Sequence, residues 1–343
     1  MKKSRKKSVQ IALLLCLAGF VIWLVSFIAV GFDITKMNTV DHETNEFVID
    51  EAFNKIYIRT KTADVRFVLT EEENCKLVCH EEKRVKHTAK VQDGMLIIAT
   101  KDTRMWYDHI GVSLEDAELI LYLPEAQYRT VEIKTDTGAV ELPKEFRFEK
   151  ATVETDTGKI DWKAPVSREL VIKSDTGSVW VEADTFCVMK VETSTGDVSV
   201  NAETVTHLEA DTTTGDITVT SATETALLML GTDTGEVSLE DIACIDCVVT
   251  SDTGKIQLKN VIADVCVNLT SDTGDITFEN VDASEVIHIQ TDTGDVTGTL
   301  LTEKTFFPKT DTGRINVPET TGEVQCWITT NTGDIDIEVI GEK

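Results

Sequence analysis

The chain has 343 residues, with 60 Asp and Glu against 33 Lys and Arg and a formal net charge of −27. A surface this acidic excludes nucleic acid as a partner, because phosphate backbones are held by basic faces. At 41% hydrophobic residues and five prolines, the chain can bury a core and is not a disordered, low-complexity polymer.

Residues 1–10, MKKSRKKSVQ, form a basic tail with five Lys or Arg and no acid. Ile11 to Gly31, IALLLCLAGFVIWLVSFIAVG, is an uncharged apolar stretch long enough to span a bilayer as a helix. The basic flank predicts a cytoplasmic amino terminus, with everything after Gly31 outside a single-pass cell-membrane anchor. A cleaved signal peptide would carry a shorter apolar stretch. Residues 32–45 read as a polar tether.

Residues 46–130 read as a β-rich amino-terminal region. A degenerate coil, Ile56 to Phe67, keeps apolar alternation, but Lys61 and Ala63 replace the corner residues found later. An excursion with strand-like KLVCHEE, MLIIATK and AELILYLP follows and is expected to cap an open sheet end.

Residues 131–343 are a repeat. TDTG or a close variant recurs with its glycine at Gly138, Gly158, Gly177, Gly196, Gly215, Gly235, Gly254, Gly274, Gly294, Gly313 and Gly333, always 19 or 20 residues apart. Two residues after each glycine stands Val or Ile, from Val140 to Ile335; four after is apolar except at Gly298. The positions five and seven before are apolar, with Ala210 and Pro308 the weakest entrants. Period-two alternation on both sides of a turn means strand, corner, strand, with one face buried. A repeat of this size cannot bury its own face and must stack on its neighbours. The fold class expected is all-β: a parallel β-solenoid of about eleven coils, wound right-handed as parallel crossovers are. At about 4.8 Å per coil the stack makes a rod of roughly 50 Å.

At each corner the glycine is expected to supply backbone angles that a Cβ would obstruct. The Thr or Ser three before it falls on the inward face, where its hydroxyl can bond corner carbonyls. The Asp two before is expected to accept the N–H two residues on in an Asx-turn. Outward carboxylates about 5 Å apart repel by about 0.8 kcal/mol in water and about 3 at an effective dielectric of 20, so something must offset them. The densest acid is Asp272, Asp275, Asp292 and Asp295, the one candidate metal site, with calcium as the ion its oxygens would suit. In the final coil Asp334, Asp336 and Glu338 would discourage edge-to-edge growth.

Alternation turns Trp180 and Trp327 outward and Trp162 inward. Trp106 and Tyr107 sit in RMWYDH, on a loop. Exposed Trp and Tyr are enriched at binding hot spots, which makes Trp106, Tyr107, Trp180 and Trp327 the candidate partner contacts. Of eight cysteines, Cys75 and Cys79 share one strand face, while Cys247 and Cys326 fall on inward columns. The CxxC of Cys244 and Cys247 lacks the helix that redox motifs use.

No nucleophile elbow, HExxH, P-loop or dinucleotide fingerprint is present. Parallel β-helices include polysaccharide lyases and glycosidases with clustered carboxylates. Here the carboxylates recur once per coil, and no insertion between Gly138 and Gly333 breaks the pattern. The expectation is no enzyme and no catalytic residue; a carbohydrate-active β-helix enzyme is the alternative.

The basic-plus-apolar amino terminus, LYLPEAQYRTVEIKTDTGAVEL and the SDTGDITF-type turns resemble the bacterial "putative-adhesin" family. The resemblance covers about Val48 to Ile340. It implies a β-solenoid domain at the cell surface, acting in adhesion or in a Gram-positive envelope-stress system as scaffold or sensor. An envelope protein, a glycan or a cationic peptide would be the partner. It implies no catalytic residues and no cofactor.

Overall fold

The structure, a computed structural model, describes residues 2–29, 40–106, 115–182, 185–222 and 225–341. The first part of the expected tether, up to residue 39, and Tyr107 lie outside the described residues. A helix, α1, runs Lys2–Ala29. The span expected over Ile11–Gly31 is met only as a helix: among the described residues, no helix is long and apolar enough to cross a membrane.

The rest is β. Long strands such as Arg147–Thr157 and Val166–Thr176 alternate with short ones such as Ile160–Trp162 and Val179–Glu182, one pair meeting at each corner. Consecutive rungs pair in parallel: Val153 lies beside Ile133 and Ile172, and Ile160 beside Val140 and Val179. The expected parallel β-solenoid is therefore the fold. Its inward columns, Val140 to Ile335 and Ile133 to Ile328, form one continuous apolar core with most members fully buried. At about 25 cal/mol per Å² of apolar surface, such columns stabilise neighbouring rungs mutually and no rung alone. Gly298, the exception in its column, leaves room for a neighbour: a Cβ there would lie 2.4 Å from the Phe278 ring.

The amino-terminal region caps one end of the stack. Its strands are β1 (His42–Ile49), β2 (Lys55–Arg59), β3 (Asp64–Thr70), β4 (Cys75–Glu82), β5 (Val85–Gln92), β6 (Met95–Asp102) and β7 (Glu118–Pro124), followed by β8 (Gln127–Thr135) and β9 (Val140–Leu142). The degenerate coil β2–β3 stacks in parallel on β8–β9, and β6 and β7 make one further rung beneath it. Antiparallel strands then take over: β4 on β7, β1 on β4 and β5 on β6. This change of pairing ends the ladder. The widening core near the cap is filled by aromatics, with Tyr128 6.1 Å from Phe148 and Phe148 5.9 Å from Trp162.

The carboxyl-terminal end departs from chain order. The strand Gln325–Thr332 of the Gly333 rung pairs with Val286–Thr293 on one side and Thr305–Thr312 on the other. The last rung in sequence is thus inserted between the Gly294 and Gly313 rungs. Asp334 and Asp336 are covered by Arg314 and Asn316 of the Gly313 rung, contrary to expectation, whereas Glu338 lies beyond the last outer ladder pair. The edge belongs to the Gly313 rung, whose strand carries Pro308 and Lys309. A proline without an N–H and a charged side chain are both ways of blunting a sheet edge. Ile315, in an otherwise buried column, is 46% exposed because no described strand pairs on the outer side of the last rung.

Candidate functional site

The corners are built by close approach. An ideal Cβ on Gly254 would lie 1.8 Å from the carbonyl oxygen of Gly235, and one on Gly235 would lie 1.9 Å from that of Gly215. Each glycine therefore admits the glycine of the rung before it. Ala63 opens the column, with no glycine rung before it. The inward hydroxyls behave as expected where the geometry closes: Thr212 donates to Gly196 O at 3.2 Å, Thr291 to Gly274 O at 3.1 Å and Thr330 to Gly294 O at 3.1 Å.

The Asx-turn is not how the corner N–H groups are satisfied. In the stacked corners the glycine N–H goes to the threonine carbonyl of the next rung, as in Gly177 to Thr195 and Gly274 to Thr293, both at 2.9 Å, while at the first corner Gly138 N–H donates to Thr135 Oγ1 at 3.0 Å. The inter-rung ladder takes the donor that an Asx-turn would need. Carboxylates one residue after the glycine carry the side-chain ladder instead. Asp197 Oδ1 accepts from Asp216 N at 3.1 Å, and Asp216 Oδ1 from Glu236 N at 2.8 Å. Asp275 accepts from Asp295 N at 3.0 Å, Asp295 from Asp334 N at 2.7 Å, and Asp334 from Arg314 N at 2.8 Å. Hydrogen bonds to a charged acceptor contribute roughly 1.5–3 kcal/mol each, comparable to the repulsion between adjacent carboxylates. Arg314 closes the run by reaching Asp334 Oδ2 through Nε at 3.0 Å and Nη2 at 2.6 Å.

This ladder bears on the proposed cation quartet. Asp275 and Asp295 each hold a backbone N–H, and Asp292 receives the Asn331 amide at 3.3 Å. Among the described residues, three or more Cys, His, Asp or Glu ligand atoms come within 4.8 Å of one another only at Cys79, Glu81 and His87. Asp272, Asp275, Asp292 and Asp295 do not form such a set.

The aromatic candidates separate. Trp162 is buried and donates from Nε1 to Ala164 O at 2.6 Å. Trp180 faces outward with Lys159 Nζ 3.9 Å from its ring centroid, beside a shallow cleft of about 420 Å³ shared with Asp161, Lys163, Glu182 and Asn201. Trp327 stacks on Phe307 at 4.2 Å and 14°, and both are more than a third exposed. Trp106 is 79% exposed near the cap. The structure does not bring these side chains together: Trp106 and Trp180 lie on different parts of the rod, and Trp327 marks its carboxyl-terminal end.

Along the long strands, outward Lys and Glu pair across rungs: Lys134 with Glu154 at 2.9 Å and Lys173 with Glu192 at 2.7 Å. Lys190 bridges Glu209 and Glu192, and these bonds raise its pKa. Beside this row a polar groove of about 500 Å³ follows the corners from Asp156 to Asp252. Burial, then the nearby Glu209, pushes the Asp211 carboxyl in it upward.

Two features escaped the sequence reading. Lys304 is fully buried, with its ammonium on Asp282 and on Ala283 O at 3.2 Å. Glu81 and His87 form a buried pair in the cap. The inward alternation of Glu81 with Cys75, Leu77 and Cys79 was the available signal for the second; Lys304 gave none.

A family model described as Toastrack DUF4097 matches residues 53–241 and 227–343. Similar solved structures include a "putative adhesin" from Bacteroides fragilis NCTC 9343, 14% identical, covering 87% of this chain and 97% of that one at a TM-score of 0.30. Another is a "putative cell adhesion protein" from Clostridium sporogenes ATCC 15579, 12% identical, covering 88% and 100% at 0.21. A third is a "putative lipid binding protein" from Parabacteroides distasonis ATCC 8503, 11% identical, covering 88% and 98% at 0.27. No curated protein matches. Likenesses this distant transfer neither a ligand nor an activity.

Proposed function

This chain belongs to the Toastrack DUF4097 family, and from that premise we propose that it is a non-enzymatic surface module of a bacterial, Gram-positive envelope. It holds a rigid acidic rod outside the cell membrane and presents it to an extended or cationic partner, in adhesion or as an envelope scaffold or sensor.

The observation that carries this reading is the uninterrupted ladder. From Gly138 onward each rung repeats the same corner, and the outward carboxylates of Asp197, Asp216, Asp275, Asp295 and Asp334 are engaged in rung-to-rung bonds. A hydrolytic site would break the repeat at one place, and no rung between Gly138 and Gly333 departs from 19 or 20 residues. What such a rod does offer is a repeated acidic surface, which attracts cationic segments at long range, and exposed Trp180 and Trp327 for short-range contact. The anchor is supported by α1, where Leu13, Leu14, Leu15, Leu17 and Ile22 are all more than 60% exposed, so that apolar side chains face several directions without being buried on other described residues.

Crosslinking on intact cells followed by capture of the tagged chain tests the reading. The expected result is an envelope protein, glycan or cationic peptide whose capture falls when Trp180 or Trp327 is changed to Ala. Turnover of a polysaccharide by the purified chain, abolished by a single Asp→Asn change, would replace it with the enzyme reading. Alkaline washing of isolated membranes tests the anchor: the full chain should stay in the pellet, and release into the wash would refute anchoring.

A further inference from the structure

The amino-terminal cap contains a constellation that neither adhesion nor anchoring uses. On β4, alternation turns Cys79 and Glu81 to the same inward face, two residues apart. The chain then turns at Lys83 and Arg84, and β5 brings His87 back against them. Cys79 is 0% exposed, Glu81 1% and His87 4%, and their ligand atoms lie within 4.8 Å of one another. We propose that Cys79, Glu81 and His87 bind one zinc ion, which pins the β4–β5 corner beneath the first rung of the solenoid.

The donor set selects the metal. One sulfur, one imidazole nitrogen and one carboxylate oxygen are the ligands zinc combines; calcium and magnesium want a shell of oxygens. Charge also favours it. A divalent ion with one thiolate and one carboxylate is neutral, which suits a site closed to water. Binding displaces the Cys79 proton to solvent and leaves the imidazole neutral, with its remaining proton on Nε2.

The surroundings already hold the ligands from behind. His87 Nδ1 lies 2.7 Å from Glu81 Oε2, and the metal would enter between them. His87 Nε2, the nitrogen away from the metal, sits 2.9 Å from Thr60 Oγ1 and 3.2 Å from Thr100 Oγ1, either of which can accept its proton. Glu81 is oriented by the His87 backbone N–H at 2.6 Å and by Asn45 Nδ2 at 2.8 Å. Asn45, which faces Cys79 across the β1–β4 pair, holds Glu81 from that side. Partners of this kind fix ring tautomer and ligand direction in zinc sites.

The test uses the full chain, purified in detergent without chelator. Elemental analysis should find one zinc per chain, and cobalt substitution should give a thiolate-to-cobalt charge-transfer band. Cys79→Ser should abolish that band and the bound zinc, and Thr60→Val, which leaves all three ligands, should weaken zinc affinity about 10- to 100-fold. Wild-type protein that takes up no zinc, or cobalt without a thiolate band, overturns the proposal whether or not the variants fold. Zinc retained undiminished in a folded Cys79→Ser chain overturns it equally, since the ion would then be held by other groups.

Discussion

A single methyl group decides the corner. Gly254→Ala would put its Cβ 1.8 Å from a carbonyl oxygen that belongs to the sheet and cannot move alone. The expected cost is about 3 kcal/mol or more, at the upper end of overpacking penalties, and thermal unfolding of the purified variant measures it. A change below about 0.5 kcal/mol, the range of ordinary surface substitutions, would mean that the rungs stand further apart than described. The glycine column was legible because only glycine recurs there. Its reason was legible only in part, since a sequence does not say whether a missing Cβ serves a backbone angle or a neighbour's approach. Asp156 and its column were misread for a related cause: the N–H that an Asx-turn would claim is committed to another rung, as Gly158 N is to Thr176 O, and that partner is invisible until rungs are stacked.

The terminal rungs show where strand patterning stops being informative. Val286 to Thr293, Thr305 to Thr312 and Gln325 to Thr332 were each readable as strands from their alternation. Their order was not, because parallel rungs with the same corner are interchangeable as far as backbone pairing goes. Side chains break the tie: the inserted order places Asp334 on Asp295 and Arg314 on Asp334. The Arg314 guanidinium holds the Asp334 carboxyl below its usual range, so this contact stabilises above the unfolded carboxylate pKa and is lost as pH falls through the lower folded value. Hydrogen-exchange protection of residues 305–317, corrected for intrinsic rates, should therefore fall below about pH 4 while the middle rungs stay protected. Protection in 305–317 that is insensitive to acid would show that the ion pair does not hold the end rung. A chain ending at Gly322 should lose protease resistance across 305–317 as well as the deleted strands. Retained resistance there would mean that the Gly313 rung can seat directly on Gly294.

Taken whole, the protein is an acidic rod with about −32 charges outside its basic tail, and its self-repulsion is long-range. Raising sodium chloride from about 0.01 to 0.15 M shortens the screening length from about 30 to 8 Å and should raise the melting temperature. Because Asp275 and Asp295 already hold backbone donors, calcium at matched ionic strength should add nothing over magnesium. A calcium-specific rise, lost in Asp272→Asn or Asp292→Asn, would establish an ion at the quartet. The inserted Gly333 rung has a further consequence, for synthesis. While the ribosome still shelters the last strand, the Gly313 segment has emerged but lacks the neighbour it finally lies against. Closure of that end waits until the Gly333 strands have left the exit tunnel, so a nascent chain stalled one repeat early would display an unfinished tip to chaperones and proteases.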